Sequence, residues 1–372
     1  MRFSSNIPFS IEVFRRHLDV ITKQFDPIFS LKQEDKCFII KFEKTRKSYA
    51  DFLTLYENAP TQKESDKVES GLGPFFVKTI SAEKIALSRK KPLRNAYNEI
   101  VLYEYHGTSD PNLANRNIKD FNLIPDFDVP KWVPLEYVGF RNVELKSVAL
   151  IINHPDPDIR KTIYNCADVQ TLRKAYFPQK SGYYNIQNIL PIGIAEAKAG
   201  LPAQTCQKRS TPPSVKTPIV LANWMHGNSE GLNKFTRQFN LKTNLRLKVV
   251  DFSPHELVKV FNKKPRPYNL LVLVFDAVRA DPNAFFDSFA KSDGFHDFEI
   301  PVIKKLYTEL NREDNDGKRK VIAARIANEI LDQSLALPLY QSLRTLYYPK
   351  EIKNLTVGTG FLEYPEVGDL KW

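Results

Sequence analysis

The sequence predicts an α/β fold built around a parallel sheet, on three observations. Strand-like and helix-like segments alternate between residues 219 and 275. The last strand of that run, YNLLVLVF at 268–275, is almost continuously apolar, the pattern of a strand covered on both faces. The helix between the last two strands carries its own start signal. In SPHELVKVF, Ser253 is an N-cap, Pro254 the first helical residue, and Glu256 closes a capping box.

The elements follow in chain order. PFSIEVFRRHLDVI reads as a helix capped by Ser10, because Phe14, Leu18 and Ile21 recur at i, i+4 and i+7. KCFIIKFE (36–43) is strand-like, a second helical stretch lies around residues 49–56, and NAPTQKESDKVES (58–70) is a polar loop. In GLGPFF (71–76) the glycines permit a tight turn and Pro74 sets the entry to a strand. Phe75 and Phe76 then face opposite sides, so that one packs inward. FFVKTI and KIALSRK make two short strands, and further short strands continue to about residue 150.

Near residue 154 the pattern changes. HPDPDIRKTIYNCAD supplies Asp156 as N-cap and Pro157 at the first helical position, with Ile159, Ile163 and Cys166 on one face. A loop-rich stretch follows and ends in QKRSTPPSVKTP (207–218), a surface connection. Strands at 219–224, 245–252 and 268–275 then alternate with helices at 230–240 and from 254. Leu271, Val272, Leu273 and Val274 are expected to be near-fully buried. Helices near 301–312 and 318–334 follow, with Ile322, Ile326 and Ile330 lining one face of the second, and LALPLY opens a final strand-and-loop tail.

Composition narrows the function classes. A chain of 372 residues, 42% hydrophobic and 26% charged, is long enough for two or three lobes. The net charge of +11 would suit an anionic partner, but no nucleic-acid-binding module accompanies it, so no nucleic acid is expected. Arg89-Lys90-Lys91 and Lys318-Arg319-Lys320 read as solvated turn or helix faces. No run of 18 apolar residues is present, so no membrane-spanning helix is expected, and the N-terminal residues do not read as a secretory signal. Cys37, Cys166 and Cys206 are dispersed and odd in number, which argues against a zinc site and against a full disulfide framework. The redox compartment stays open on that count. The six histidines form no metal-binding pair, and no glycine-rich phosphate loop occurs, so no metal or cofactor is expected.

One catalytic pattern competes. HGNSEG contains Gly227, Ser229 and Gly231 between a strand and a helix, the spacing of a nucleophile elbow, with His255 or His296 and Asp276 or Asp281 as downstream partners. An elbow needs most of its sheet built before it, whereas the segment ahead of residue 219 reads as loop-rich. The same residues also make an ordinary turn and cap.

Five stretches, in order, resemble the extracytoplasmic solute-binding proteins of peptide-type ABC transporters, the dipeptide-, oligopeptide- and nickel-binding family. They are ESGLGPFFVKTI, HPDPDIRKTIYNCADV, FDAVRADPNAFF, LALPLYQ and the tail IKNLTVGTGFLEYPEVGDLKW. The resemblance covers nearly the whole chain. It implies a two-lobed, periplasmic-binding-protein type II-like fold. Residues 1–147 and 338–372 would form a first lobe and residues 148–337 a second α/β lobe. The resemblance also implies that a peptide or similar small solute is captured by lobe closure without chemistry, that ABC permease subunits are partners, and that the location is periplasmic or extracytoplasmic. In the family the segment resembling FSIEVFRRHLDVI lies well inside the protein. The first lobe is therefore expected to be truncated, with open sheet edges and exposed apolar surface. A solute-sensing module of a cytoplasmic regulator is the alternative, and a serine hydrolase the third reading.

The resemblance also implies ligand-binding residues. The family carries an aspartate three residues after the aromatic of the segment matched by residues 275–282, and that carboxylate receives a peptide's α-ammonium. Aligned on Pro282, the aromatic is Phe275 and the aspartate position is Val278, which accepts no hydrogen bond. Asp276 could return a carboxylate to the site and Arg279 could hold an anion in a bidentate pair, unless both face solvent. Trp224, at the end of strand 219–224, completes the candidate set. Free-amine di- and tripeptides are accordingly expected to bind weakly, and anionic or blocked ligands better.

Overall fold

The computed structural model describes residues 28–34, 37–42, 61–65, 68–71, 75–81, 84–94, 97–103, 124–126, 136–177, 183–194, 199–206, 217–225, 227–261, 263–276, 282–291, 294–353 and 355. The helices expected at 10–21 and 49–56 lie outside these residues. The chain divides into two compact units. One comprises Met1–Asn122, Pro349–Val357 and Tyr364–Trp372, and the other Leu123–Tyr348 and Gly358–Glu363.

The first unit holds three small antiparallel assemblies. Strands β1 (Ile28–Glu34) and β2 (Cys37–Phe42) pair, as do β3 (Thr61–Ser65) and β4 (Val68–Gly71). The second pair corrects the polar loop expected at 58–70. Backbone pairing needs no apolar side chain, and TQKES gives no alternation by which a strand could be recognised. Strands β5 (Phe75–Ile80), β6 (Lys84–Arg89) and β7 (Glu99–Tyr103) form a three-stranded sheet. The two phenylalanines separate as expected. Phe75 is half-buried beneath the guanidinium of Arg89, 4.6 Å from its ring centroid, while Phe76 is exposed. Arg89 is itself buried and donates from Nε to the Tyr97 carbonyl at 3.1 Å, so it is not part of a solvated turn. Val77, Ile80 and Leu102 of this sheet are exposed.

The second unit is built on a six-stranded sheet. It begins with β8 (Ile124–Asp126) and the 16-residue β9 (Tyr137–Ile152). Helices α1 (Pro157–Cys166) and α2 (Val169–Tyr176) follow. Asp156 caps α1 as expected, accepting from the amides of Asp158 and Ile159. Next come β10 (Ile219–Asn223), α3 (Ser229–Thr243), β11 (Leu247–Asp251), α4 (Pro254–Phe261) and β12 (Leu270–Asp276). The Ser253–Glu256 capping box forms. The Ser253 amide donates to Glu256 Oε2 at 2.8 Å and the Glu256 amide to Ser253 Oγ at 3.2 Å. Helices α5 (Asn283–Ala290), α6 (Pro301–Arg312) and α7 (Asp316–Asp332) lead into β13 (Ala336–Pro349). Arg319, in the first turn of α7, donates to the Leu310 and Glu313 carbonyls. It thereby closes the end of α6 rather than facing solvent with Lys318 and Lys320.

The strand order is β11-β10-β12-β9-β13-β8. β10 runs parallel to β11 and β12, but β12 pairs antiparallel with β9, from Leu270↔Ile152 to Asp276↔Lys146. The sheet is therefore mixed, where the sequence indicated a parallel one. Apolar content marks a strand as covered on both faces but carries no information on the direction of its neighbour.

Side-chain alternation divides the core into two layers. Leu150, Ile152, Leu221 and Val272 face α1–α3, against Ile163, Leu172, Leu232 and Phe235. Ala149, Ile151, Leu271 and Phe275 face the other side, against Leu257, Phe286, Leu306 and Ile326. Leu271 and Val272 are fully buried on opposite faces, but Leu273 and Val274 are only half-buried, which shortens the expected fully buried run. Gly231 allows α3 to approach α2 closely, since a Cβ there would lie 2.9 Å from the Ala175 Cα.

Cys166 and Cys206 form a disulfide across 40 residues of chain. Gln204 reinforces it by donating to the Tyr164 and Ala167 carbonyls. An odd cysteine count weighs against a framework but not against one bridge.

Candidate functional site

The connection β10-α3-β11 passes over one face of the sheet and β11-α4-β12 over the other. The carboxyl ends of β10 and β12 therefore flank the point where the winding reverses, the place at which open α/β sheets receive ligands. The candidate residues Trp224, Phe275 and Asp276 lie at these strand ends. Val278 and Arg279 lie outside the described residues.

The loop after β10 is held firmly. Asn223 Nδ2 donates to Asp251 Oδ1 at 2.7 Å, and Asn223 Oδ1 accepts from the Gly227 amide at 2.9 Å. The Phe252 amide donates to the Asn223 carbonyl at 3.1 Å, and the Asn228 amide donates to the Ala175 carbonyl at 2.7 Å. Trp224 is half-buried, and its indole Nε1 donates to the Val272 carbonyl at 2.8 Å, which ties the β10 loop to β12. Sequence reasoning missed this clamp. Its only signal is an asparagine and an aspartate ending two adjacent apolar strands.

At the end of β12, Phe275 belongs to the core. Its ring stacks on Phe285 and Phe289, with centroids at 6.5 and 6.0 Å, and meets Phe295 edge-on at 5.6 Å. Asp276 is ion-paired with Lys146 of β9, its registered neighbour, at 3.3 Å, with both side chains about one-fifth exposed. Burial pushes the nearby Tyr176 phenol well above its usual pKa, with the Asp251 carboxylate adding to the shift, so its hydroxyl stays protonated. Tyr176 donates that proton to the Ala222 carbonyl at 3.3 Å.

The nucleophile-elbow pattern resolves into a helix cap. Asn228 is the N-cap of α3, accepting from the amides of Glu230 and Gly231, and Ser229 is an exposed first-turn residue. Among the described residues no histidine bonds to Ser229. His255 is exposed at the start of α4, and His296 is buried, with Nε2 3.4 Å from the Leu335 carbonyl. Asp281 lies outside the described residues. Among those described, no group of three or more His, Cys, Asp or Glu residues could hold a metal ion, and no helix is long and apolar enough to cross a membrane.

The burial of His296 has a measurable consequence. Desolvation lowers its pKa from the usual 6.5 to about 3, so the folded protein keeps it neutral. The unfolded chain gains a proton at this residue as pH falls below 6.5, and the folded chain does not until pH approaches 3. Stability from this group is therefore complete above pH 6.5 and is lost between 6.5 and 3. At pH 4.5 the expected loss is about 2–3 kcal/mol relative to pH 7. Urea unfolding at the two pH values should show a shallower loss in His296→Gln, and an equal loss in both proteins would contradict the assignment.

No family model and no curated protein matches the chain. Solved structures do. NikA from Staphylococcus aureus, in complex with Ni(L-His)2, is 16% identical with a TM-score of 0.70, over 94% of this chain and 82% of its own. The fold is that of the ABC-transporter solute-binding proteins. The substrate-binding protein CtaP from Listeria monocytogenes gives 15% identity and a TM-score of 0.70, over 97% of this chain and 83% of its own. A dipeptide-binding protein from Pseudoalteromonas sp. SM9913, in complex with Met-Leu, gives 12% identity and a TM-score of 0.70, over 100% of this chain and 84% of its own. The type II-like periplasmic-binding-protein fold expected from the sequence is therefore present.

Proposed function

We propose that this chain is the ligand-binding component of a peptide-type ABC transporter, working with permease subunits outside the cytoplasm. The fold shared with NikA, CtaP and the dipeptide-binding protein over more than nine-tenths of the chain carries this reading. The Cys166–Cys206 disulfide supports the location, because such bridges persist in oxidising compartments. The hydrolase pattern lends no support to the competing reading, since its residues form the N-terminal cap of α3.

The ligand class follows from the charges. Asp276 already pairs with Lys146, and Val278 offers no carboxylate, so an incoming α-ammonium would have to compete with a lysine for its counter-ion. Acylated or anionic ligands meet no such competition. Calorimetry with matched libraries of free-amine and N-acetylated di- and tripeptides tests this. The N-acetylated set should bind about tenfold or more tightly, the scale of one charged contact. Micromolar binding of free-amine peptides that survives Asp276→Ala would overturn the ligand class, and binding of neither set would overturn the peptide reading.

A further inference from the structure

The outer rim of the second unit carries a concentration of positive charge. Residues 231–250, the body of α3 and most of β11, hold five basic residues and no aspartate or glutamate. β11 is the last strand of the sheet, so no described strand covers its outer edge. The end of α3 is fastened to the start of this strand. Asn240 Nδ2 donates to the Leu247 carbonyl at 3.1 Å, and Asn240 Oδ1 accepts from the Leu247 amide at 2.7 Å. Arg237 stands three residues before Asn240, on the same side of α3, and Arg246 and Lys248 flank Leu247 in the chain. These three cations are thereby gathered at the amino end of β11. Lys234 and Leu241 continue the stripe along α3, three residues before Arg237 and four after it.

The charge there is not balanced from within. Lys234, Arg237, Arg246 and Lys248 are all exposed, and among the described residues none of them forms an ion pair. Lys242, the fifth cation, interacts with the Asp168 carboxylate at the start of α2 and is set apart on that account. Glu230 lies in the first turn of α3, and Asp251 at the far end of β11, where it accepts from Asn223. In the middle of the stripe Leu241 is 67% exposed. Four cations around a protruding aliphatic side chain fit a layer of negative charge with hydrocarbon beneath it. A soluble phosphate makes no use of Leu241. A protein partner would have to immobilise each long side chain at an entropic cost, whereas fluid headgroups rearrange to meet it.

We propose that this rim docks the protein onto an anionic lipid surface. The four cations meet lipid phosphates, and Leu241 enters the headgroup boundary. β10, β11 and β12 run parallel, and the candidate ligand site lies at their carboxyl ends, so the two surfaces do not overlap. Sedimentation of the full chain with vesicles of phosphatidylcholine, alone or with about one-third phosphatidylglycerol, tests this. The protein should bind the mixed vesicles, come off as salt rises, and leave the neutral ones alone. Arg246→Gln with Lys248→Gln should weaken binding by about tenfold or more, each cation being worth about fivefold beside an anionic leaflet. Lys318→Gln with Lys320→Gln removes the same charge from the exposed start of α7 and should change binding by less than about twofold. Leu241→Ser should weaken it by about threefold. All five positions are exposed, and circular dichroism checks that each variant is folded. No binding to the mixed vesicles, equal binding to the neutral ones, or an equal loss in the two paired variants would each overturn the proposal. Unchanged binding in Leu241→Ser, or displacement by millimolar glycerol phosphate, would assign the rim to a soluble anion and overturn the membrane contact.

Discussion

Val272→Asp is expected to abolish folding of the second unit. Val272 is fully buried in the middle of β12, facing α1–α3, with β10 on one side of its strand and β9 on the other. An aspartate there finds no cation among the apolar neighbours Leu150, Leu221 and Leu270 that share its core layer. Burying it unpaired costs several kcal/mol even after protonation, on top of the lost valine packing, against a typical total stability of about 5–15 kcal/mol. Val272→Ala removes only packing and should cost about 2 kcal/mol, leaving a folded protein. Leu273→Asp should be milder than Val272→Asp, because Leu273 is half-buried and its carboxylate can reach water. Circular dichroism and urea unfolding of the three variants give the order directly. A Val272→Asp protein that unfolds with the wild-type midpoint would remove β12 from the centre of the sheet.

That strand shows how far local pattern reaches. Its existence and double-sided burial were legible in NLLVLVF, and so were the caps at Asp156 and Ser253, because a cap is a contact between residues two or three apart. Helix α5 was missed for the converse reason. Pro282 at its start makes no side-chain cap, and at eight residues the helix is too short for Phe285, Phe286 and Phe289, which share one face at i, i+1 and i+4, to establish a period. Helix α2 was hidden because the buried Arg173 interrupts its apolar face. That guanidinium reaches the Leu339 carbonyl of β13 and the Asn185 side chain at 2.9 Å. Partners 12 and 166 residues away leave no trace at the arginine itself.

The candidate site was legible in the same limited sense. Trp224 and Asp276 do sit at the strand ends where the winding reverses, because a strand's end can be read from its apolar run. What they do there was not legible. Trp224 bonds to a strand 48 residues on, and Asp276 pairs with a lysine 130 residues earlier, contacts that exist only once β9 and β10 have docked on β12. Phe275 shows the same gap from the other side, since an aromatic at a strand end reads equally as a ligand platform or as the core residue it is.

Arg266→Met is expected to destabilise the second unit by about 3 kcal/mol, through the charge it leaves behind rather than the one it removes. The Arg266 guanidinium is fully enclosed. It pairs with Asp297 Oδ1 at 2.6 Å, donates from Nε to the Phe261 carbonyl at 2.9 Å, and donates to the Gly294 carbonyl. Asp297 Oδ2 also accepts from the Arg266 amide at 2.8 Å and from Asn153 Nδ2 at 3.0 Å. The group thus fastens the end of α4, the loop before α6 and the start of the segment after β9. Methionine fills much of the space but satisfies neither carbonyl and leaves the carboxylate without its cation. Asp297 is about one-fifth exposed, so water screens part of the loss, which places the expectation at the low end for a broken buried pair. Replacing both partners, Arg266→Met with Asp297→Asn, should cost less than the sum of the single changes, with a coupling of about 1–3 kcal/mol. Arg266→Lys should recover part of the loss, because an ammonium restores the charge but reaches fewer of the acceptors. Urea unfolding of wild type, the two single changes, the double change and Arg266→Lys measures each term. An Arg266→Met variant within about 1 kcal/mol of wild type would show that the pair contributes no more than an exposed one, and that the three segments are held by packing alone.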